Sequence, residues 1–190
     1  MRTVVPKNAK TIPPQAKRVF AGQIFDVHQW PQKMFDGSTA TFEMLKRPDT
    51  LIVLAIKNSK IIILEEEQPG HPPFFGVPGG RHDMPGETEL IAAQRELREE
   101  TGLLFKHWKL IDVRQPQFKI DWLVYAFVAW DLEKAGEPEV HPGEKITIKE
   151  VTFAEALELA DNPQTRHIPK DLLIKAGSIE GLMELPEYQG

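Results

Sequence analysis

The sequence predicts an α/β protein in which a mixed sheet lies between two layers of helices. Strand-like apolar segments dominate both sides of one well-delimited helix near the middle of the chain, and further helical segments follow the last strands. With 190 residues, of which 41% are hydrophobic, the chain is long enough to bury a substantial core. We therefore expect one α/β/α sandwich, residues 45–190, with an N-terminal arm and β-hairpin extension, residues 1–44.

Apolar runs and turn signals place the elements along the chain. Residues 1–19, rich in Lys and Pro, predict a loosely held arm, and an Asp36-Gly37 turn predicts the β-hairpin that follows it. A capping box that begins at Thr152 predicts a late helix. The apolar patterns predict strands at 23–30, 39–45, 51–56, 61–64, 74–77, 108–113 and 118–130, and a last helix near 170–176.

Residues 88–101 carry the signals of a short helix with one acidic face. Thr88 is expected as its N-cap and Gly102 as its left-handed C-cap. The stripe expected to pack inward consists of Leu90, Ala93, Leu97 and Leu104. The acidic face beside it consists of Glu96, Glu99 and Glu100. Like charges at this spacing destabilise a helix by about 0.2–0.5 kcal/mol per pair, so this face predicts a nearby cation, with a solvated acidic face as the alternative.

Composition excludes several classes of protein. The formal charge of −5 and the pI of about 5.7 are the opposite of the basic surface that long nucleic acids require, although divalent cations still allow a small phosphorylated ligand. The absence of cysteine excludes disulfides, thiolate metal sites and a cysteine nucleophile. No apolar run approaches the roughly 18 residues of a membrane span, and the first residues lack the apolar core of a signal peptide. We expect a cytoplasmic protein that binds neither membranes nor long nucleic acids.

The segment from Gly79 to Leu103 joins a glycine-rich loop to the acidic helix. Its glycines permit close backbone approach, so a carbonyl is able to face a cation held by the helix. From Glu87 the order is Glu, seven residues, Arg-Glu, an apolar residue, any residue, Glu-Glu, any residue, Gly and an apolar residue. This segment resembles the Nudix box, the metal-binding motif of Nudix hydrolases. The loop departs from that motif because six residues separate Gly80 from Glu87, one more than the family uses.

The resemblance implies a Nudix fold and gives individual residues their expected roles. The expected ligands of Mg²⁺ or Mn²⁺, about one to three ions in all, are Glu96, Glu99, Glu100 and the carbonyl of Gly80. Glu96 is also a candidate for activating water. Glu87 and Arg95 are expected to form an ion pair that holds the loop against the helix.

A further glutamate is the candidate for the general base. Related pyrophosphatases supply such a residue from a loop before a late strand, and Glu144 occupies that place. The alternative is an ordinary exposed turn carboxylate. Glu137 and Glu139 are further candidates on the same loop.

The N-terminal hairpin resembles the layout of ADP-ribose and sugar-nucleotide pyrophosphatases, which commonly dimerise through this extension. We therefore expect a homodimer, in agreement with the marginal stability of an unpaired hairpin. Phe25 and Trp30 are candidates for stacking on the substrate's base, with core or dimer contacts as the alternative. Arg47 and Arg81 are candidate contacts to the substrate, Arg47 to its phosphate or ribose.

One departure weakens the comparison with ADP-ribose pyrophosphatases. Many of them carry an arginine shortly after a strand-ending glutamine, whereas here Gln68 leads into Pro69-Gly70-His71. Three functions stay open: hydrolysis of ADP-ribose or a nucleotide sugar to a nucleoside monophosphate and a sugar phosphate, hydrolysis of a nucleoside triphosphate or dinucleoside polyphosphate, and nucleotide binding without catalysis. All carboxylates of the box are present, which favours catalysis, and we expect the first reaction.

Overall fold

The computed structural model describes residues 2–139 and 142–190. The strands in these ranges are β1 (Lys17–Ala21), β2 (Asp26–Lys33), β3 (Thr39–Lys46), β4 (Asp49–Lys57), β5 (Lys60–Glu67), β6 (Phe74–Gly76), β7 (Gly79–His82), β8 (Leu103–Arg114), β9 (Ile120–Asp121), β10 (Val124–Ala135) and β11 (Lys145–Val151). The helices are α1 (Glu89–Thr101), α2 (Phe153–Ala160), α3 (Lys170–Ala176) and α4 (Ile179–Glu184). Of the helices, α4 was not predicted. None of these helices is long and apolar enough to cross a membrane.

The main sheet is mixed and has seven strands. Five of them follow the order β11-β5-β4-β10-β8, while β6 pairs with β5 and β7 pairs with β4. The pairing of β10 with β4 is parallel, and the other pairings are antiparallel. β4 is buried along almost its whole length because both faces of the sheet are covered.

Helices cover the two faces of the main sheet. On one face α1 packs through Ala92, Ala93 and Leu97, which are completely buried. On the other face α2, α3 and α4 pack through residues such as Leu173 and Leu182. The predicted α/β/α sandwich is therefore confirmed.

A second sheet contains the predicted hairpin and has the order β1-β2-β3-β9. β2 and β3 pair antiparallel, and at their turn the Asp36 carboxylate accepts hydrogen bonds from the backbone nitrogen and the hydroxyl of Ser38. β9, which lies far along the chain, joins β3 in parallel. β3 runs on to Lys46, and the division of the chain at residue 44 stays a prediction.

The expectation of a loosely held N-terminal arm is wrong. Arg2 donates through Nε and Nη2 to the Asp49 carboxylate, both at 2.6 Å, and through Nη1 to Asp121 at 2.5 Å. Thr3 donates its backbone N–H and its hydroxyl to Glu89, at 2.6 and 2.5 Å. Composition did not reveal these contacts because the partners lie between 47 and 119 residues away in sequence.

Removal of the Arg2 side chain is expected to destabilise the protein. The side chains of Asp49 and Asp121 are only 7% and 6% exposed, so Arg2→Ala leaves two buried carboxylates without their cation. We expect a loss of about 3 kcal/mol in the free energy of unfolding, measured by urea denaturation. The control is Arg18→Ala, whose ion pair with Asp26 is exposed and is expected to contribute less than about 1 kcal/mol. Equal, small losses in the free energy of unfolding in both variants would contradict a stabilising role for the ion pairs of Arg2.

Candidate active site

The acidic helix α1 is fixed at both ends and along its inner face. The Thr88 hydroxyl accepts a hydrogen bond from the Ile91 backbone, and Gly102 adopts the left-handed conformation with φ of 70°. Both predicted caps are therefore present. The predicted inward stripe is partly wrong, because Leu90 is 38% exposed and Ala92 takes the inward position. Leu104, also expected there, belongs to β8 and is half-buried. Small side chains at the contact allow α1 to lie close to the sheet.

The strand β7 lies against the glutamates of α1, and Gly80 leaves room for one of them. The backbone N–H of Gly79 donates to Glu100 at 2.8 Å, and the N–H of Arg81 donates to Glu96 at 3.2 Å. A Cβ atom on Gly80 would lie 2.2 Å from a carboxylate oxygen of Glu96. A side chain at position 80 would therefore displace the Glu96 carboxylate from this place.

Arg95 connects the loop to the acidic face. It donates to Glu87 at 2.9 Å, to Glu96 at 2.8 Å and to Glu99 at 3.2 Å. The pair expected between Glu87 and Arg95 is thus formed although the loop carries an additional residue. Gly86, at φ of 85°, makes the turn before Glu87, so the longer loop leaves the start of α1 in place.

The structure brings the candidate catalytic glutamates to a single cleft of about 610 Å³. Glu96, Glu99 and Glu100 line it from α1, Gly80 lines it from β7, and Glu144 lines it from the segment before β11. Glu139 also lines this cleft, and its backbone N–H donates to the carbonyl of Glu99 at 2.7 Å.

The cleft carries more negative charge than its neighbouring cations offset. Burial, together with the charges of Glu66, Glu96 and Glu144, raises the pKa of Glu100 well above its usual value. Burial also raises the pKa of Glu96, although Arg95 offsets part of this effect. Burial and the charge of Glu144 raise the pKa of Glu66 to about 7.

Glu66 was missed in the sequence. It lies near the end of β5, within a run of three glutamates, Glu65 to Glu67. Successive side chains of a strand point to opposite faces of the sheet, so Glu66 faces away from Glu65 and Glu67. This alternation is the sequence signal that could have identified Glu66. Its neighbours pair with lysines of β11, Glu65 with Lys149 and Glu67 with Lys145.

The chemistry of the cleft fits a hard divalent cation. Its acidic donors are carboxylate oxygens, which Mg²⁺ and Mn²⁺ prefer. Within residues 2–139 and 142–190, no three His, Cys, Asp or Glu side chains already surround a common ion position. Arg95 pairs with Glu96 and Glu99. Burial and the neighbouring glutamates raise the pKa of Glu100, and a bound cation would stabilise its charged form.

The candidate substrate contacts lie in different places. Arg47 and Arg81 line a side pocket of about 240 Å³ that shares Glu100 and Glu144 with the main cleft. The Phe25 ring lies against the Arg47 guanidinium, 5.7 Å from ring centroid to Cζ.

Trp30 lies elsewhere, in the second sheet. It packs there against Phe42, with 6.1 Å between the ring centroids. A role for Trp30 in binding the substrate's base stays a prediction.

The charge of Glu66 is expected to make the metal-free protein less stable as the pH rises. Its pKa in the folded protein, about 7, lies above the ordinary 4.5, so stability falls between these values and the full loss is present above pH 7. Glu66→Gln should therefore raise the melting temperature in EDTA at pH 8 by about 2–4 °C, the shift that roughly 1 kcal/mol produces in a chain of this size. At pH 5 the change should be small.

The matched control for this experiment is Glu67→Gln, an exposed position on the same strand. It is expected to change the melting temperature little at either pH. A Glu66→Gln protein that gains no more stability at pH 8 than at pH 5 would refute the raised pKa of Glu66.

Comparisons with known proteins agree with this geometry. Residues 45–172 match the NUDIX domain. The chain is 30% identical over 151 residues to an ADP-ribose pyrophosphatase of Bacillus subtilis (strain 168), covering 77% of this chain and 80% of the relative. It is 27% identical over 154 residues to the methanol dehydrogenase activator of Bacillus methanolicus, covering 78% of this chain and 81% of the relative.

A solved structure shows the same fold. The crystal structure of an ADP compounds hydrolase superposes with a TM-score of 0.68 at 19% identity, covering 93% of this chain and 96% of the other. The match to the domain and the 30% identical relative show the family. The chain therefore belongs to the Nudix hydrolase family, as its segment from Glu87 to Leu103 predicted.

Proposed function

We propose that this protein is a metal-dependent diphosphohydrolase that cleaves ADP-ribose or a nucleotide sugar to a nucleoside monophosphate and a sugar phosphate. The observation that carries the proposal is the cleft in which Glu96, Glu99, Glu100 and Glu144 meet beside a pocket lined by arginines. The relatives named as ADP-ribose pyrophosphatases support this choice of substrate.

The acidic face of α1 would hold the cation. Glu96, Glu99 and Glu100, with the carbonyl of Gly80, would bind about one to three Mg²⁺ or Mn²⁺ ions. Bound divalent ions neutralise a diphosphate and lower the pKa of water. Arg95 orients Glu96 and Glu99, because it donates to both of them.

Glu144 would take the proton from the attacking water. It lies in the same cleft as the acidic face but on a different segment, so it is available to accept a proton while the other glutamates hold the cation. Arg47 and Arg81 would contact the phosphates from the side pocket.

A cytoplasmic homodimer is part of this proposal. The edge strand β1 and the segment that follows it expose apolar side chains, since Val19, Phe20 and Ile24 are 53%, 59% and 41% exposed. Packing a second copy against this surface would remove these side chains from water. Phe25 and Trp30 would then lie near the contact between the copies.

Product analysis tests the proposed reaction. We expect the protein with Mg²⁺ to convert ADP-ribose or a nucleotide sugar to a nucleoside monophosphate and a sugar phosphate, identified by mass. EDTA should abolish turnover, and Glu100→Gln should lower it by about 100-fold or more while circular dichroism is unchanged. Pyrophosphate from a triphosphate, or a longer nucleotide from a dinucleoside polyphosphate, would support the alternative reaction. Full activity in EDTA would refute the role of the metal.

Substitution of Glu144 tests the general base. Glu144→Gln is expected to lower kcat by about 100-fold or more with little change in KM, because a base acts in the reaction step. The matched variant is Glu139→Gln, which removes a carboxylate from the same cleft and should change kcat little. An unchanged kcat in Glu144→Gln, or a larger fall in Glu139→Gln, would contradict this assignment.

A further inference from the structure

The side pocket contains an arginine, Arg166, that no motif in the sequence predicted. Arg166, from the connection between α2 and α3, lines this pocket together with Arg47 and Arg81. Glu100 and Glu144 line the same pocket and belong also to the main cleft. Arg166 therefore reaches the place where a substrate on the acidic face would extend.

The backbone of this connection is fixed independently of the arginine side chain. The N–H of Arg166 donates to the carbonyl of Phe75 at 2.7 Å, and the N–H of Phe75 donates to the carbonyl of Gln164 at 2.9 Å. These bonds attach the connection to β6 as a short parallel bridge between Phe75 and Thr165. A substitution of the Arg166 side chain leaves them intact.

The Arg166 guanidinium is held in position near Glu66, which lines the same pocket and whose pKa it lowers, but the two side chains are not within ion-pair distance of each other. It lies over the Phe74 ring at 4.3 Å from the centroid, and its Nη2 lies 3.5 Å from His71 Nδ1. Among residues 2–139 and 142–190, Arg47, Arg81 and Arg166 form no ion pair with a carboxylate. The donors of this guanidinium are thus available to a ligand.

Arg47 supports the same conclusion from the other side of the pocket. Its guanidinium lies between the rings of Phe25 and Trp122, and its Nε is buried without a hydrogen-bond partner in the described part of the chain. Desolvation and the nearby charge of Arg81 lower the pKa of Arg47. Asp49 offsets part of this effect, and an anion would supply the partner that the buried Nε lacks.

We propose that Arg166, together with Arg47, binds the diphosphate of the substrate and supplies the positive charge that the segment after Gln68 lacks. The inference rests on the proposed function and specifies where the phosphates lie. The segment Pro69-Gly70-His71 carries no arginine, and Arg166 contacts His71 from a distant part of the chain. A fork of guanidinium donors matches phosphate oxygens better than a single ammonium group does.

Binding of methylenediphosphonate with Mg²⁺ tests this proposal by calorimetry, because this diphosphate analogue is not hydrolysed. We expect Arg166→Gln to raise its Kd by about 10-fold or more, and Arg166→Lys to raise it several-fold, since lysine keeps the charge but loses the fork. Arg98→Gln is the control, because it removes one positive charge from the exposed side of α1, outside both pockets. Its Kd should equal that of the unmodified protein.

Three results would overturn the proposal. They are an unmodified protein that does not bind the analogue, an Arg166→Gln protein that binds it as tightly as the unmodified one, and an Arg166→Lys protein that keeps full affinity while Arg166→Gln loses it. The last result would mean that a positive charge at position 166 is sufficient, which contradicts recognition of the diphosphate by the guanidinium fork. Binding through Arg166 without cleavage of any nucleotide would refute the proposed function and leave this assignment in place.

Discussion

Mutual repulsion between carboxylates is the constraint on which the site depends. Burial and the charge of Glu144, from the segment before β11, raise the pKa of Glu66 on β5 and of Glu100 on α1, and Glu66 adds to the effect on Glu100. Arg95 offsets the charge of Glu96 and Glu99, whereas in the described part of the chain Glu100 accepts a backbone hydrogen bond from Gly79 and forms no ion pair. These carboxylates stay close together despite their repulsion because α1, β5 and β11 pack in the same core.

The helix α1 packs against the core on one side and carries the glutamates of the site on the other. Ala92 and Ala93 bring the helix close to the sheet, and Gly80 of β7 leaves room for the Glu96 carboxylate. The N-terminal arm contributes to the same helix, because Thr3 binds Glu89 in its first turn. These two bonds lower the pKa of Glu89 although burial alone would raise it. The helix is thus held at its start by the arm and along its length by the core.

The sequence predicted the features that are formed by residues close to one another along the chain. The caps Thr88 and Gly102, the Asp36-Gly37 turn and the Nudix box each act within a few residues, and all are present in the structure. Among contacts between distant segments, only the family resemblance placed Glu144 beside α1, and the contacts of Arg2 and Arg166 were not predicted. Arg2 and Arg166 lie in segments whose composition predicts loops, and their partners are identified only once the sheet brings these segments together.

The two kinds of charge in the cleft lie on different elements, and this separation bears on substrate choice. The acidic face belongs to one helix and follows the family motif, whereas the arginines of the side pocket come from the connection after β3, from β7 itself and from the connection after α2. A magnesium diphosphate presents a cation to the first group and phosphate oxygens to the second. Because the proposed metal would constrain α1 and the shared diphosphate would constrain the arginines, differences in substrate among related chains are expected to follow residues outside both groups.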